Sequence, residues 1–489
     1  MKHSKTLLGA SAALVLSIGC ASEPAERYLD QAKAPASADS VFENGPMFLT
    51  GAFDGSKAFR MWQATTDFTR QFEREYGVPL KFTYFINSAY YDHTVTGSWI
   101  GTSLSAEESM VRFAITQQAA NEGHEIGNHT VRHRDGTDWT VEQWRAEFRQ
   151  FHDLVEANLF KPVLGDDGKP VFPRWESMPE AAPGEVGHSC SSNSDCDSGR
   201  CMAVAAEQSF CTTGCNKNLP CANGTVCGAS NWNEGQDVCY PAPQFPVLHN
   251  GEVLFDEDGN PNLSSSQLEP YPIIGFRAPQ LGHDTALFTV LDEFGYRYDT
   301  TKILRPGPPG RVRHRGQTFA GIYEFALMKH QGSRTIPMDY NYKVNDADGV
   351  RMTDDYKRSV RSAYAMGRQP WNIGHHFSLW RGGAYWRAMK DTFRYAAEGC
   401  PENGVETCEN VAFPTFVELT DTLDGINAAN GGDTDDDADV FAKPGVEVED
   451  LLVGEAGCNG HDLEEGRGHG DGQHEIVLTE GDQIDQAER

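Results

Sequence analysis

The sequence predicts an α/β fold with parallel strands, interrupted by an inserted disulfide-rich module and ended by a disordered acidic tail. Three observations predict it. A strand–helix alternation over residues 46–160 resumes over 271–425, eight cysteines crowd between Cys190 and Cys239, and the charge excess gathers at the C-terminal end. At 489 residues the chain has room for two or three units, taking roughly 150 residues per domain.

From Gly45 the pattern becomes regular. Residues 46–53 form an apolar run of strand length, and 59–76 carry helical character. Residues 80–87 alternate aromatic and polar side chains like a second strand, 106–122 read as a helix, and Glu125-Ile126-Gly127-Asn128 as a third strand leading into His129. Another amphipathic helix covers 141–158. Strand, helix, strand, helix, strand is the rhythm of a parallel sheet.

The rhythm stops over 161–270, which reads as an insertion rich in Gly and Pro turns. Asp166-Asp167-Gly168 and Asp256-Glu257-Asp258-Gly259 look like hairpin turns. The second lacks a carboxylate at the twelfth position, where Gln267 stands, so it is read as a turn rather than a calcium loop. Residues 190–239 are poor in aliphatic side chains and need staples, which an oxidising compartment supplies as disulfides. Tight C-x2-C pairs are absent there, which argues against zinc, and the pairing of the eight cysteines stays open. Cys400 and Cys408 are expected to bridge locally, leaving Cys458 over in the tail.

The formal net charge is −30, and residues 431–489 supply half of it, with 18 Asp and Glu against 3 Lys and Arg. That balance repels phosphate backbones, so nucleic acid is excluded as a partner. Residues 426–489 are expected to be a disordered tail. At the other end, Lys2, His3 and Lys5 precede an apolar run from Leu7 to Ile18, the layout of a secretory signal over residues 1–20. The run ends in Ser17-Ile18-Gly19-Cys20 and resembles a bacterial lipoprotein signal, although Leu rather than Ser17 is usual at that place. The resemblance implies acylation of Cys20, a spacer over 21–45, and an extracytoplasmic protein held at the bacterial cell envelope, outer membrane included, by its N-terminal lipid alone.

Five segments at expected strand ends hold the residue types of a metal hydrolase. They are Asp54-Gly55-Ser56; Gly123-His124-Glu125-Ile126-Gly127-Asn128-His129-Thr130-Val131-Arg132-His133; Arg277-Ala278-Pro279-Gln280; Tyr296-Arg297-Tyr298-Asp299-Thr300-Thr301; and Asn372-Ile373-Gly374-His375-His376. Two imidazoles four residues apart converge on one ion if the backbone turns after the strand.

Asp, His-Thr-x-x-His, Arg-x-Pro, Asp and His, in that order, resemble the NodB-homology domain of polysaccharide deacetylases, carbohydrate esterase family 4, of the chitin-deacetylase kind. The resemblance covers 46–160 and 270–420. It implies a distorted (β/α)7 barrel with its groups at the C-terminal strand ends. It further implies that Asp54 is the catalytic base, that His129 and His133 bind a divalent metal (zinc, or cobalt), and that Arg277 orients the base. The Gln280 N–H would bind the oxyanion, Asp299 would tune the acid, and His376 would be the acid, with His375 as the alternative. Gly55 departs from the pattern, since many members carry a second acid there as a ligand.

The expected activity is metal-dependent removal of N-acetyl groups from a chitin-like or peptidoglycan glycan, releasing acetate. An O-acetyl esterase on xylan-like material is the alternative within the same chemistry. A catalytically weak carbohydrate-binding surface protein is the alternative outside it, and Gly55 is its support.

Overall fold

The computed structural model describes residues 45–101, 106–164 and 269–429 except 406; between 164 and 269 it describes 170–172, 181–205, 208–215, 219–221, 225–228, 237–241, 248–249 and 252–253. The lipidation site Cys20, the spacer as far as residue 44, the turn at 256–259, Cys458 and the acidic tail from residue 430 on lie outside the described residues, whereas 426–429, expected in that tail, end the helix Phe416–Ala429.

One curled sheet of nine strands, an open half-barrel, organises the molecule. Its strands in chain order are β1 (Met47–Asp54), β2 (Phe82–Ile86), β3 (Glu125–Asn128), β4 (Gly275–Phe276), β5 (Tyr298–Asp299), β6 (Gly310–His314), β7 (Gln317–Glu324), β8 (Trp371–His376) and β9 (Val411–Ala412). Across the sheet the order is β6-β7-β5-β4-β3-β2-β1-β8, with β9 beside the start of β1. All neighbours pair in parallel except β6 and β7, so seven of the eight strands along this path run one way. The helices are α1 (Phe59–Tyr76), α2 (Ala106–Asn121), α3 (Val141–Glu156), α4 (Thr285–Glu293), α5 (Val350–Ala365), α6 (Trp380–Ala397) and α7 (Phe416–Ala429).

Local chemistry accounts for several boundaries. α1 ends where Gly77 turns left-handed (φ 68°) and its N–H returns to Glu73 O. α3 starts at a capping box, with the Thr140 side chain accepting from Gln143 N and the Gln143 side chain accepting from Thr140 N. Between β6 and β7 the turn residues Arg315 and Gly316 both have positive φ, 47° and 79°, as a two-residue hairpin requires.

Period-two alternation divides the strands between two cores. Met47, Leu49 and Phe53 of β1 face the helices in the larger core, where Phe53 meets Trp386 of α6 and Trp62 of α1 lies 4.4 Å from Tyr84. Phe48 and Ala52 face the barrel interior with Phe85, Tyr298, Tyr323 and Phe325. α7 plugs that interior with Phe416, Leu419 and Leu423. Each such aromatic or aliphatic side chain contributes about 1.5–3 kcal/mol on full burial. Beside the first turn of α7 sits Glu125, whose carboxylate accepts from Tyr298 Oη (2.5 Å), Thr83 Oγ1 (2.9 Å) and Val417 N (3.0 Å). Burial pushes its carboxyl up to about 7. A side chain at Gly275 would strike the Tyr298 hydroxyl at 1.9 Å, so only glycine admits this network.

Among the described residues the sheet does not close by a ladder. Asn372 Nδ2 on β8 instead reaches the carbonyls of Phe325 (3.2 Å) and Ala326 (2.6 Å) past the end of β7, and Gly374 N donates to Pro337 O at 2.9 Å. Residues 336–339 thus run along β8 as an irregular edge.

The cysteine-rich stretch is disulfide-bonded as Cys190–Cys201, Cys196–Cys211, Cys215–Cys227 and Cys221–Cys239, and Cys400–Cys408 forms the expected local bridge. Met202, Phe210 and Val238 join the larger core, so this stretch packs as part of the shell around α1 and α2. The hairpin expected around 166–168 is framed by paired strands Val163–Leu164 and Pro170–Phe172. Five disulfides belong to an oxidising, extracytoplasmic compartment. Among the described residues no helix is long and apolar enough to cross a membrane.

Candidate functional site

Asp54 ends β1, His129 follows β3, Arg277 follows β4, Thr300 follows β5 and His376 ends β8. Parallel strands present all five at one end of the sheet. Alternation then turns each of them to the interior face, above Ala52, Phe85 and Tyr298.

Arg277 is fully buried, and its Nη1 donates to Asp54 Oδ1 at 2.7 Å. Its Nε donates to Thr300 Oγ1 at 2.8 Å, and its guanidinium lies 4.7 Å from the centroid of the Phe85 ring. These contacts leave the fork little freedom. Burial raises the Asp54 carboxyl, but the charge of Arg277, joined at acid pH by those of His129 and His376 once protonated, outweighs it and holds Asp54 below the usual carboxylate range. Asp54 is therefore an ionised carboxylate at neutral pH.

His129 Nδ1 lies 2.7 Å from Arg277 O. A carbonyl only accepts, so Nδ1 carries the proton and Nε2 keeps its lone pair. The His133 ring lies 5.0 Å from that of His129, and among the described residues its buried Nδ1 has no hydrogen-bond partner. Burial pushes both imidazoles down, His133 to about 3, so both are neutral at pH 7. The turn that brings them together is strained, since Thr130 (φ 65°) and His133 (φ 52°) both occupy the left-handed region. Asn87 Nδ2 donates to His129 O, Thr130 N donates to Asn128 Oδ1, and Glu147 accepts from the N–H groups of Val131 and Arg132.

Two neutral imidazoles, one with its tautomer set by a carbonyl and the other with an orphaned buried nitrogen, fit a divalent metal. The set is short of ligands. Among the described residues, the only groups bringing three His, Cys, Asp or Glu ligand atoms within 4.8 Å are cysteines already in disulfides. Gly55 explains part of this. Its φ of 86° is left-handed, so although a Cβ there would meet Asn87 Oδ1 and Phe377 Cβ only at an ordinary 3.9 Å, a side-chain-bearing acid would be strained.

Adjacent histidines on β8 point to opposite faces. His376 pairs in register with Asp54, and its Nδ1 lies 2.7 Å from Asp339 Oδ1. His375 pairs with Phe53, faces the helices, and lies 3.0 Å from Tyr356 Oη; burial pushes it to about 4. Burial also opposes a charge on His376, but Asp339 beside it raises its pKa above the ordinary value.

Asp299 does not face His376. On β5 it alternates to the side opposite Tyr298 and Thr300, where it accepts from Thr301 N (2.9 Å) and Thr301 Oγ1 (2.6 Å). The carboxylate beside His376 is Asp339, which the sequence motifs do not mark. It stands in a 3₁₀ turn (Asp339–Tyr342) without strand or helix periodicity, placed by the bridge between Met338 and Gly374. Thr300, Asn87 and the aromatic rim of Trp99, Tyr340 and Trp380 were also not read as site residues. Trp99 packs 5.6 Å from His133, and Trp380 4.9 Å from His376. Gln280 sits in the turn after Pro279 with φ 55°.

Comparison with known families bears on this arrangement. Residues 61–164 match the family model described as polysaccharide deacetylase. The matched stretch runs from α1 through α3 and holds His129 and His133; Asp54, Arg277, Asp339 and His376 lie outside it. No curated protein matches the sequence. Solved structures similar to this chain include one assigned as a polysaccharide deacetylase from Mycobacterium smegmatis (11% identity, 81% of this chain and 96% of that one, TM-score 0.39). A family 4 carbohydrate esterase from Streptomyces lividans, in complex with acetate, is similar at 10% identity over 73% of this chain and 90% of that one, TM-score 0.30. The chitin deacetylase of Colletotrichum lindemuthianum is similar at 9% identity over 73% and 86%, TM-score 0.32. The matched segment thus holds both candidate metal ligands, and Asp54, Arg277, Asp339 and His376 come from elements on either side of it in sequence.

Proposed function

We propose that this chain is a metal-dependent polysaccharide deacetylase, hydrolysing N-acetyl groups of a chitin-like or peptidoglycan glycan at the bacterial cell envelope, to which acylated Cys20 anchors it. The observation that carries the reading is the register pair Asp54 and His376, each with its own fully buried or nearly buried partner of opposite charge. One group is held as a base and its neighbour as an acid. Pairs of titratable groups pushed in opposite directions are what acid–base hydrolysis needs.

A divalent cation, zinc or cobalt, would be held by His129 and His133 and would supply Lewis-acid polarisation of the acetyl carbonyl. Asp54 takes the proton of the attacking water, its carboxylate aimed by Arg277. The Gln280 N–H donates to the developing oxyanion, a contact worth about 3–4 kcal/mol when well placed. Protonated His376 then gives its proton to the departing amine as the carbon–nitrogen bond breaks. Trp99 and Tyr340, 58% and 50% exposed, offer aromatic faces on which sugar rings stack.

The reading is tested by acetate release from N-acetylglucosamine oligomers, peptidoglycan and acetylated xylan, with zinc supplied. Release from the first two is expected; release from xylan alone would turn the assignment to an O-acetyl esterase. The shortage of metal ligands favours a second reading, a carbohydrate-binding protein with little turnover. Binding of oligomers with zinc present and no acetate from any substrate would establish it instead.

Asp339→Asn should move the basic limb of the kcat/KM profile to lower pH. His376 is raised by Asp339, so its acid form persists below the raised pKa and is lost as pH rises through it. Without the carboxylate the loss comes earlier. An unchanged basic limb would show that Asp339 does not set the acid.

A further inference from the structure

Asp299 lies on the face of β5 turned away from His376, and its contacts lead elsewhere. Its Oδ1 accepts the Thr301 hydroxyl proton at 2.6 Å, and its Oδ2 accepts the Thr301 N–H at 2.9 Å. With its proton committed to the carboxylate, Thr301 Oγ1 has only lone pairs to offer, and it accepts the Ala278 N–H at 2.9 Å. Asp299 and Thr301 are fully buried and Ala278 is 1% exposed, so water offers no substitute for either bond.

Ala278 is the foot of a strained turn. Its carbonyl accepts from Leu281 N at 3.1 Å, and between them Gln280 (φ 55°) and Leu281 (φ 58°) stand consecutively in the left-handed region. Residues with side chains stay there only where surrounding contacts hold them. The neighbouring Thr300 holds Arg277 through Nε, so the end of β5 grips two successive residues of the Arg277–Gln280 segment.

We propose that Thr301, set by Asp299, is a positioning residue that fixes the 278–281 turn and with it the direction of the Gln280 N–H. This inference rests on the deacetylase reading, in which that N–H meets the oxyanion. It gives Asp299 a part in transition-state stabilisation rather than in tuning the acid. Asp299→Asn weakens the device because an amide can turn its NH₂ toward Thr301 Oγ1 and compete with Ala278.

The test uses the purified full chain with zinc. Thr301→Val should lower kcat about 10- to 100-fold, a part of the loss expected for deleting an oxyanion donor outright. KM, zinc content and both limbs of the pH profile should stay as in the parent, and Thr301→Ser should restore kcat to within about threefold, since one hydroxyl in place is the whole requirement. Hydrogen–deuterium exchange of peptides spanning 274–284 should speed up in Thr301→Val and Asp299→Asn but not in Thr301→Ser. An active parent beside an equally active Thr301→Val overturns this inference alone, as does a kcat loss that Thr301→Ser fails to repair. A parent that releases no acetate overturns the deacetylase reading, and this inference with it.

Discussion

Asp54→Asn should lower acetate release by about 10²–10⁴-fold, the range that a positioned general base contributes. The amide keeps the size of the carboxylate and one acceptor for Arg277 Nη1, now at 2.7 Å from Oδ1, so the backbone at the end of β1 has little reason to move. It has no lone pair basic enough to take a proton from water. Zinc content measured on the same sample separates the two parts Asp54 can play. Retained metal with lost turnover identifies the base; loss of metal makes Asp54 a ligand and leaves the base to be found elsewhere. Turnover within a few-fold of the parent would remove Asp54 from the mechanism.

Arg277→Met should produce the second large effect, on stability and on the acid limb together. Arg277 is fully buried and Asp54 nearly so, and removing one member of a buried pair leaves the other charge uncompensated, at a cost of about 3–5 kcal/mol. Methionine fills the stem volume but replaces neither the ion pair nor the bond to Thr300 Oγ1. Asp54 is depressed chiefly by Arg277 acting against burial. In the parent its contribution to stability is therefore present above the unfolded carboxylate value and lost as pH falls through the lower folded value. In the variant burial acts with much less opposition, so the carboxyl takes a proton at higher pH and the acid limb of kcat/KM rises. Denaturant unfolding and a pH profile check the two halves. A variant as stable as the parent with the same acid limb would mean that the pair does not govern Asp54.

Much of this molecule is written locally. The apolar run at 47–54, the helices at 59–76 and 141–156 and the third strand before His129 follow from periodicity and caps, because side-chain spacing and turn residues act within a few positions of each other. The Cys400–Cys408 bridge closes a short loop and is equally local. The motif order likewise placed Asp54, His129, His133 and Arg277 at strand ends, and the structure gathers them at one end of the sheet.

What sequence could not assign was facing. His375 and His376 are chemically equivalent in the chain, and only the register of β8 against β1 turns His376 to the interior beside Asp54 and His375 into the helix layer. The same rule separates Asp299 from Thr300 on β5: a one-residue step along a strand exchanges the two faces. Asp339 was out of reach for a different reason. It reaches His376 across 37 residues from an irregular edge, where no periodicity marks a carboxylate as different from any other loop acid. Local propensity settles which elements form, because its forces act over one turn or one pleat; which side chains meet at their ends depends on strand register and on loops held by contacts far apart in the chain, and those exist only once the sheet has curled.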